Sequence, residues 1–219
     1  MIRNIVDLGN AAGLKGDLAA AIAAFEANRD LPALRAELAG EGTDLQLQNA
    51  MIIILRAGAL QLRSGGSELL LQLGDVASVP AGSIAWRAEG AEVVLAEVKT
   101  GAADCAFTKL DLDQELSPGG LPNPALVTTA MPETARHEFF DASAFSWGLW
   151  SATPYDRSAI TYPFSELMYL QSGSVTVGND DEGRQTFRAG DVFIIHRGAK
   201  AAWSNSEPVK KFWLIHRPE

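Results

Sequence analysis

The sequence predicts an all-β protein made of two similar antiparallel domains in tandem, with a short helical segment near the N-terminus. The first observation behind this is an internal repeat. Gly-Asp-Val-Ala-Ser-Val-Pro-Ala-Gly at 74–82 returns as Gly-Asp-Val-Phe-Ile-Ile-His-Arg-Gly at 190–198. Each copy follows an apolar run that ends in glycine, Met51 to Gly58 and Glu166 to Gly173. Gly58 to Gly74 is 16 positions and Gly173 to Gly190 is 17, so the copies are offset by 115 or 116 residues in a chain of 219. A repeat that long means two domains rather than a solenoid of small units. The second observation is the close succession of short apolar runs after Pro32, parted by glycine-bearing turns. That spacing belongs to antiparallel sandwiches and barrels.

Taken in order, residues 17–28 form the helical segment. Asp17 can cap it, Leu18, Ile22 and Phe25 share one face, and the alanines favour helix. The first copy supplies strand candidates at Met51–Leu55, Ala59–Leu62, Glu68–Leu73, Val76–Val79 and Glu92–Lys99. Residues 101–125 carry acidic residues together with Pro118, Gly119, Gly120, Pro122 and Pro124, and read as part of a linker. The second copy offers Phe145–Trp150, Ser158–Tyr162, Glu166–Leu170, Ser174–Val177, Gln185–Arg188, Asp191–Ile195, Ala201–Ser204 and Val209–Ile215. Asn179–Gly183 is the loop of a hairpin between two of these. The expected division is a first domain over 1–105, a linker over 106–138 and a second domain over 139–219.

Composition narrows the function classes. A chain of this length with 47% hydrophobic residues can bury a sizeable core. A net charge of −9 argues against nucleic acid or an anionic membrane surface as a partner. Cys105 is the only cysteine, so no intrachain disulfide forms and a reducing, cytoplasmic setting is expected. Neither a signal peptide nor an apolar run long enough to span a membrane is evident. Gly119-Gly120 is no phosphate loop, because no Gly-Lys-Ser/Thr follows it.

The repeated segments resemble the two motifs of the cupin superfamily. The first is His-x-His, three or four residues, Glu, six residues, Gly. The second is Gly, five residues, Pro-x-Gly, two residues, His. Glu166 and Gly173 fit the end of the first; Gly190, His196 at the proline position and Gly198 fit the frame of the second. Gly74, Pro80 and Gly82 fit that frame in the first copy. Within the superfamily the second half is most similar to the ureidoglycine-aminohydrolase-like branch, through FSWGLWSATP, YPFSELMYLQSGSVTV, FRAGDVFIIHRGAKAAW and EPVKKFWLI. The resemblance implies two tandem cupin-type β-barrels, a bicupin.

It also implies a divalent metal held by three histidines and the glutamate. Here Ile160 and Tyr162 stand at the His-x-His positions and Ala201 at the second-motif histidine, leaving only Glu166. The first copy has Met51 and Ala85 at the corresponding places. One carboxylate supplies neither the ligand count nor the geometry of a metal site, so no metal and no cofactor are expected. His196 reads as a turn residue and His137 lies near the linker. Whether His216, at the end of the last strand, or His196 rebuilds a metal site is left open.

Strand alternation then gives the lining of the second interior. If Glu166 points inward, so do Met168 and Leu170; if Ala201 does, so does Trp203. Tyr162, Glu166, Met168 and Trp203 form the expected ligand-binding set, with Ile160 and Ala201 leaving room. Trp147, Trp150 and Trp213 read as core or interface. The set suits a small amine- or amide-bearing metabolite, held by a charge-assisted bond to Glu166 and by aromatic faces. Tyr162 and Trp203 could instead simply fill the space. Glu166 is harder to read as filler: it needs a partner, a raised pKa or water. Glu166→Gln is expected to cost the fold little. The competing functions are an enzyme acting on a C–N bond, with Glu166 as base and Tyr162 as proton donor, and a structural scaffold with a homodimer as its assembly.

Overall fold

The structure, a computed structural model, describes residues 5–25, 31–99, 105–181 and 183–217. In chain order its elements are β1 (Ile5–Asp7), β2 (Leu14–Gly16), the helix α1 (Leu18–Ala23), β3 (Ala33–Leu47), β4 (Ala50–Ser64), β5 (Ser67–Leu71), β6 (Val76–Val79), β7 (Gly82–Val98) and β8 (Thr108–Lys109). There follow β9 (Ser117–Pro118), a 3-10 turn at Pro124–Leu126, β10 (Thr134–Asp141), β11 (Phe145–Ala152), β12 (Tyr155–Thr161) and β13 (Ser165–Ser172). The last strands are β14 (Ser174–Asn179), β15 (Gly183–Arg188), β16 (Val192–Ile195), β17 (Lys200–Asn205) and β18 (Val209–His216). The protein is all-β, and its strands pair antiparallel except β2 with β3. Two compact units emerge, Leu8–Leu112 and Asp113–Glu219 together with Met1–Asp7.

The first unit holds a sheet in the order β2-β3-β7-β4-β6-β8, with β5 paired to β4. Alternation along β4 sends Met51, Ile53 and Leu55 into its core. The two strands expected at Met51–Leu55 and Ala59–Leu62 are one. Register shifts on either side of Ala57 let the chain bend near Gly58 without giving up its pairing with β7. Strand β3 was concealed in the same way. Gly40, Gly42 and Asp44 look like a turn, yet they sit at two register shifts inside a 15-residue strand. Asp17 caps α1 by accepting from the Ala20 N–H at 2.7 Å. The helix ends at Ala23, and residues 26–28 of the expected segment lie outside the described residues.

The second unit holds a seven-stranded sheet, β1-β16-β13-β18-β11-β10-β9, and a four-stranded one, β12-β17-β14-β15. Side chains from both sheets meet in one apolar core. All eight strands expected here form. Two segments differ from the expected division. Ile5–Asp7, assigned to the first domain, pairs with Phe193–Ile195 of β16, because that strand's outer edge would otherwise be left without backbone partners. The expected linker ends inside β10, whose residues pair along β11, so residues 134–138 are sheet.

The repeated Gly-Asp has a local cause. Asp75 accepts from the Gln72 N–H at 2.8 Å, and Asp191 from the Arg188 N–H at 2.7 Å. Gly74 N–H donates to Leu55 at 2.9 Å and Gly190 N–H to Leu170 at 2.8 Å. Both glycines have positive φ, 89° and 91°. The same turn is thus built twice by the same two residues.

Candidate functional site

The site grows from the inward face of β13. Glu166 and Met168 share that face, while β17 brings Ala201 and Trp203 and the end of β12 brings Ile160 and Tyr162. Ile160 and Ala201 are direct partners across β12 and β17. The side chains singled out in the sequence therefore face one interior. Tyr162, Met168 and Trp203 lie within its core, and Glu166 is 7% exposed.

Lys211 was not foreseen. It sits on β18 opposite Leu170 and Trp150, on the face that Val209 turns to the core. Its ammonium donates to Glu166 Oε1 at 2.8 Å and approaches Met168 Sδ at 3.2 Å. It lies 5.0 Å from the ring centres of both Trp150 and Trp203. Glu166 thus has its partner, and the ammonium is enclosed by one carboxylate, one thioether and two indoles. The available signal was a charged pair, Lys210-Lys211, inside an apolar strand, with alternation turning Lys211 inward.

Trp203 is locked in place. Its Nε1 donates to Asn205 Oδ1 at 2.9 Å, and the Asn205 amide donates to Glu207 O at 2.8 Å and Thr153 O at 3.2 Å. Trp150 meets Trp203 edge-on at 5.7 Å, and Tyr155 lies near-parallel to it at 6.5 Å. Arg157, a second residue not foreseen, stands opposite Trp203 across β12 and β17. Its Nη2 donates to the Tyr162 hydroxyl at 3.3 Å, and its Cζ lies 5.6 Å from the Tyr162 ring centre.

Burial pushes the Tyr162 phenol up to about 12, with the charge of Glu166 adding to the shift and Arg157 opposing it. Burial also raises the Tyr155 phenol well above its ordinary value. Tyr162 is therefore a hydrogen-bond donor at any physiological pH. A phenol with a higher pKa folded than unfolded gives stability that is present below the unfolded value of 10 and lost as pH rises through about 12. Denaturant melts across that window are expected to show wild type losing roughly 2–3 kcal/mol more than Tyr162→Phe. Equal losses would mean that Tyr162 titrates normally.

The residues present do not fit the metal that the resemblance implies. Two of the four positions, Ile160 and Ala201, have no donor atom, and the Glu166 carboxylate already holds an ammonium. No group of three or more His, Cys, Asp or Glu able to hold a metal occurs among the described residues. His216 pairs with Ser165, one position from Glu166 on β13 and so on the opposite face, and stacks on Phe145 at 4.4 Å. His196 begins the turn after β16, where its carbonyl accepts from the Ala199 N–H at 3.0 Å. His137 lies on β10 against Phe139. In the first unit Met51 is core.

Residues 141–213 match the family model of the EutQ-like cupin domain. No curated protein matches the chain. Among solved structures it is similar to a protein of unknown function of the DUF861 family from Pseudomonas syringae pv. tomato. The TM-score is 0.79 at 23% identity, covering 88% of this chain and 84% of that one. A cupin 2 conserved barrel domain protein from Leptotrichia buccalis matches with TM-score 0.58 at 11% identity, over 85% and 82%. The protein Ylba from E. coli, also of DUF861, matches with TM-score 0.56 at 12% identity, over 97% and 89%. At these identities the likeness establishes the cupin fold and leaves activity to the site itself. Among the described residues no helix is long and apolar enough to cross a membrane.

Proposed function

We propose that the chain is a bicupin whose second barrel binds a small amide-bearing metabolite without a metal ion. The observation that carries this reading is the buried Glu166–Lys211 pair at 2.8 Å. The lysine supplies the positive charge beside the glutamate that a metal would otherwise supply, at a place where histidine ligands are missing. Around it stand an acceptor, Glu166, and two donors, Tyr162 and Arg157. An amide presents both a donor and an acceptor to such a set. An amine is disfavoured, because it would bring a second cation to a carboxylate that Lys211 already neutralises. The first barrel, with Met51 in its core, serves as packing and interface. The lone cysteine supports a cytoplasmic setting.

A second reading, an enzyme acting on a C–N bond, draws support from Tyr162, whose phenol keeps its proton and could donate it. Against it, the base it requires, Glu166, is committed to Lys211.

Native mass spectrometry and elemental analysis of the freshly purified chain test the proposal. Metal well below one equivalent is expected, and methylurea is expected to raise the melting temperature where methylamine does not. Stoichiometric metal would instead favour the enzyme. A response to neither probe would favour a barrel filled by its own side chains.

A further inference from the structure

We propose that one end of the first unit's core carries a separate small-molecule site, and that it takes a free α-amino acid with an apolar side chain. The proposal concerns Leu8–Leu112 alone and does not rest on the reading of the second unit. It begins with a pairing that both copies share. Glu166 stands opposite Ile215 across β13 and β18, and its counterpart Met51 stands opposite Glu97 across β4 and β7. Each copy therefore keeps one carboxylate at this pair, on opposite members of it. Directly opposed residues share a face, and Met51 belongs to the core, so Glu97 is on the core side of β7. Leu95 and Val93, which alternate with it along the strand, are core residues too. Glu97 is half-buried, at the point where that face passes from core to solvent.

A pocket of about 360 Å³ lies there. Ile22 and Phe25 of the helical segment, with Leu47 and Met51, give it an apolar floor, and Glu97 and Lys99 stand in its wall. Ile22 and Phe25 also pack against the core, so the floor is continuous with it. A concave, mostly apolar site with few polar groups to fix orientation suits a small ligand. Here the charged groups are of opposite sign. Glu97 Oε1 accepts from the Asn49 amide at 2.9 Å, which holds the carboxylate in place. Among the described residues neither Glu97 nor Lys99 has an ion-pair partner, and they do not pair with each other. A carboxylate with one hydrogen bond keeps the capacity to accept more. An α-amino acid presents an ammonium and a carboxylate from one carbon. With the ammonium on Glu97 and the carboxylate toward Lys99, its side chain is left to the apolar floor. A plain amine would meet the charge of Lys99 and a plain carboxylate that of Glu97, whereas the zwitterion avoids both repulsions.

The test uses the full chain in calorimetric titrations with L-leucine, L-methionine, L-phenylalanine and L-alanine. The tightest binder is then compared with its matching amine and matching acid, which for leucine are isoamylamine and 4-methylpentanoate. At least one of the three large amino acids is expected to bind, about ten-fold or more tighter than alanine, which leaves the floor empty. It is expected to bind about ten-fold tighter than the matching acid, which lacks the charged hydrogen bond to Glu97. The margin over the matching amine is smaller, about three-fold, because Lys99 is exposed. Glu97→Gln is expected to weaken the amino acid and the amine about ten-fold and to leave the acid unchanged or stronger. Lys99→Met is expected to weaken the amino acid and the acid and to spare the amine. The wild-type comparisons need no variant to fold, and Lys99 is at the surface. Alanine or the matching acid binding as tightly as the large amino acid overturns the proposal. So does an affinity unchanged in Glu97→Gln, or binding of none of the three.

Discussion

Lys211→Met is expected to destabilise the folded protein by about 3–5 kcal/mol, the scale for removing one partner of a buried ion pair. The side chains of Lys211 and Glu166 are 8% and 10% exposed, so solvent does little to screen what is left behind. Methionine fills most of the space of the lysine stem and keeps its packing against Trp150 and Trp203. The loss therefore reports the uncompensated Glu166 carboxylate rather than a cavity. Glu166→Gln is expected to be destabilising too, since it leaves the ammonium without its counter-charge. That reverses the expectation from sequence, in which Glu166 had no partner and its neutralisation looked harmless. The double replacement Glu166→Leu with Lys211→Met removes both charges and is expected to restore wild-type stability or exceed it by about 1–4 kcal/mol. Urea unfolding of wild type, Glu166→Leu, Lys211→Met and the double mutant gives the coupling directly. Single replacements costing under about 1 kcal/mol, or a double mutant no better than the singles, would show that the pair is not a closed electrostatic unit.

Lys211 also marks how far the sequence could be read. Face alternation is a property of one strand, and it correctly grouped Glu166 with Met168 and Ala201 with Trp203. The partner of Glu166 arrives from 45 residues downstream, through the register of β13 with β18, and no local pattern encodes that register. Arg157 was missed for a related reason, since a bulge sets its place opposite Trp203. At the level of fold, short apolar runs between turns were legible in the second unit because each strand there is short and ends cleanly. In the first unit β3, β4 and β7 run through bulges, so residues that look like turn formers lie inside strands. The β1 pairing was illegible because three residues carry too little pattern to name a partner nearly 190 positions away.

Gly173→Ala and Gly58→Ala are expected to cost about 2–5 kcal/mol each. This figure combines roughly 1–2 kcal/mol for a non-glycine residue in the left-handed region with about 1–3 kcal/mol for displacing close-packed neighbours. Gly58 and Gly173 end the two apolar runs of the repeat, with φ of 71° and 76°. In each the missing side chain leaves room for a backbone carbonyl of a nearby segment. A Cβ on Gly58 would collide with the Gly90 oxygen, and one on Gly173 with the Pro208 oxygen. These oxygens belong to backbone, so neither can swing aside as a flexible side chain would. Gly190 supplies the internal comparison: its φ is 91°, but a Cβ there meets nothing within 4 Å. Gly190→Ala should therefore show the conformational cost alone, about 1–2 kcal/mol. Urea midpoints at constant m-value measure all three. If Gly58→Ala and Gly173→Ala match Gly190→Ala, the carbonyl contacts are not what holds these glycines. The repeat would then mark a turn conformation, and not the close approach of two chain segments that both halves of the protein have kept.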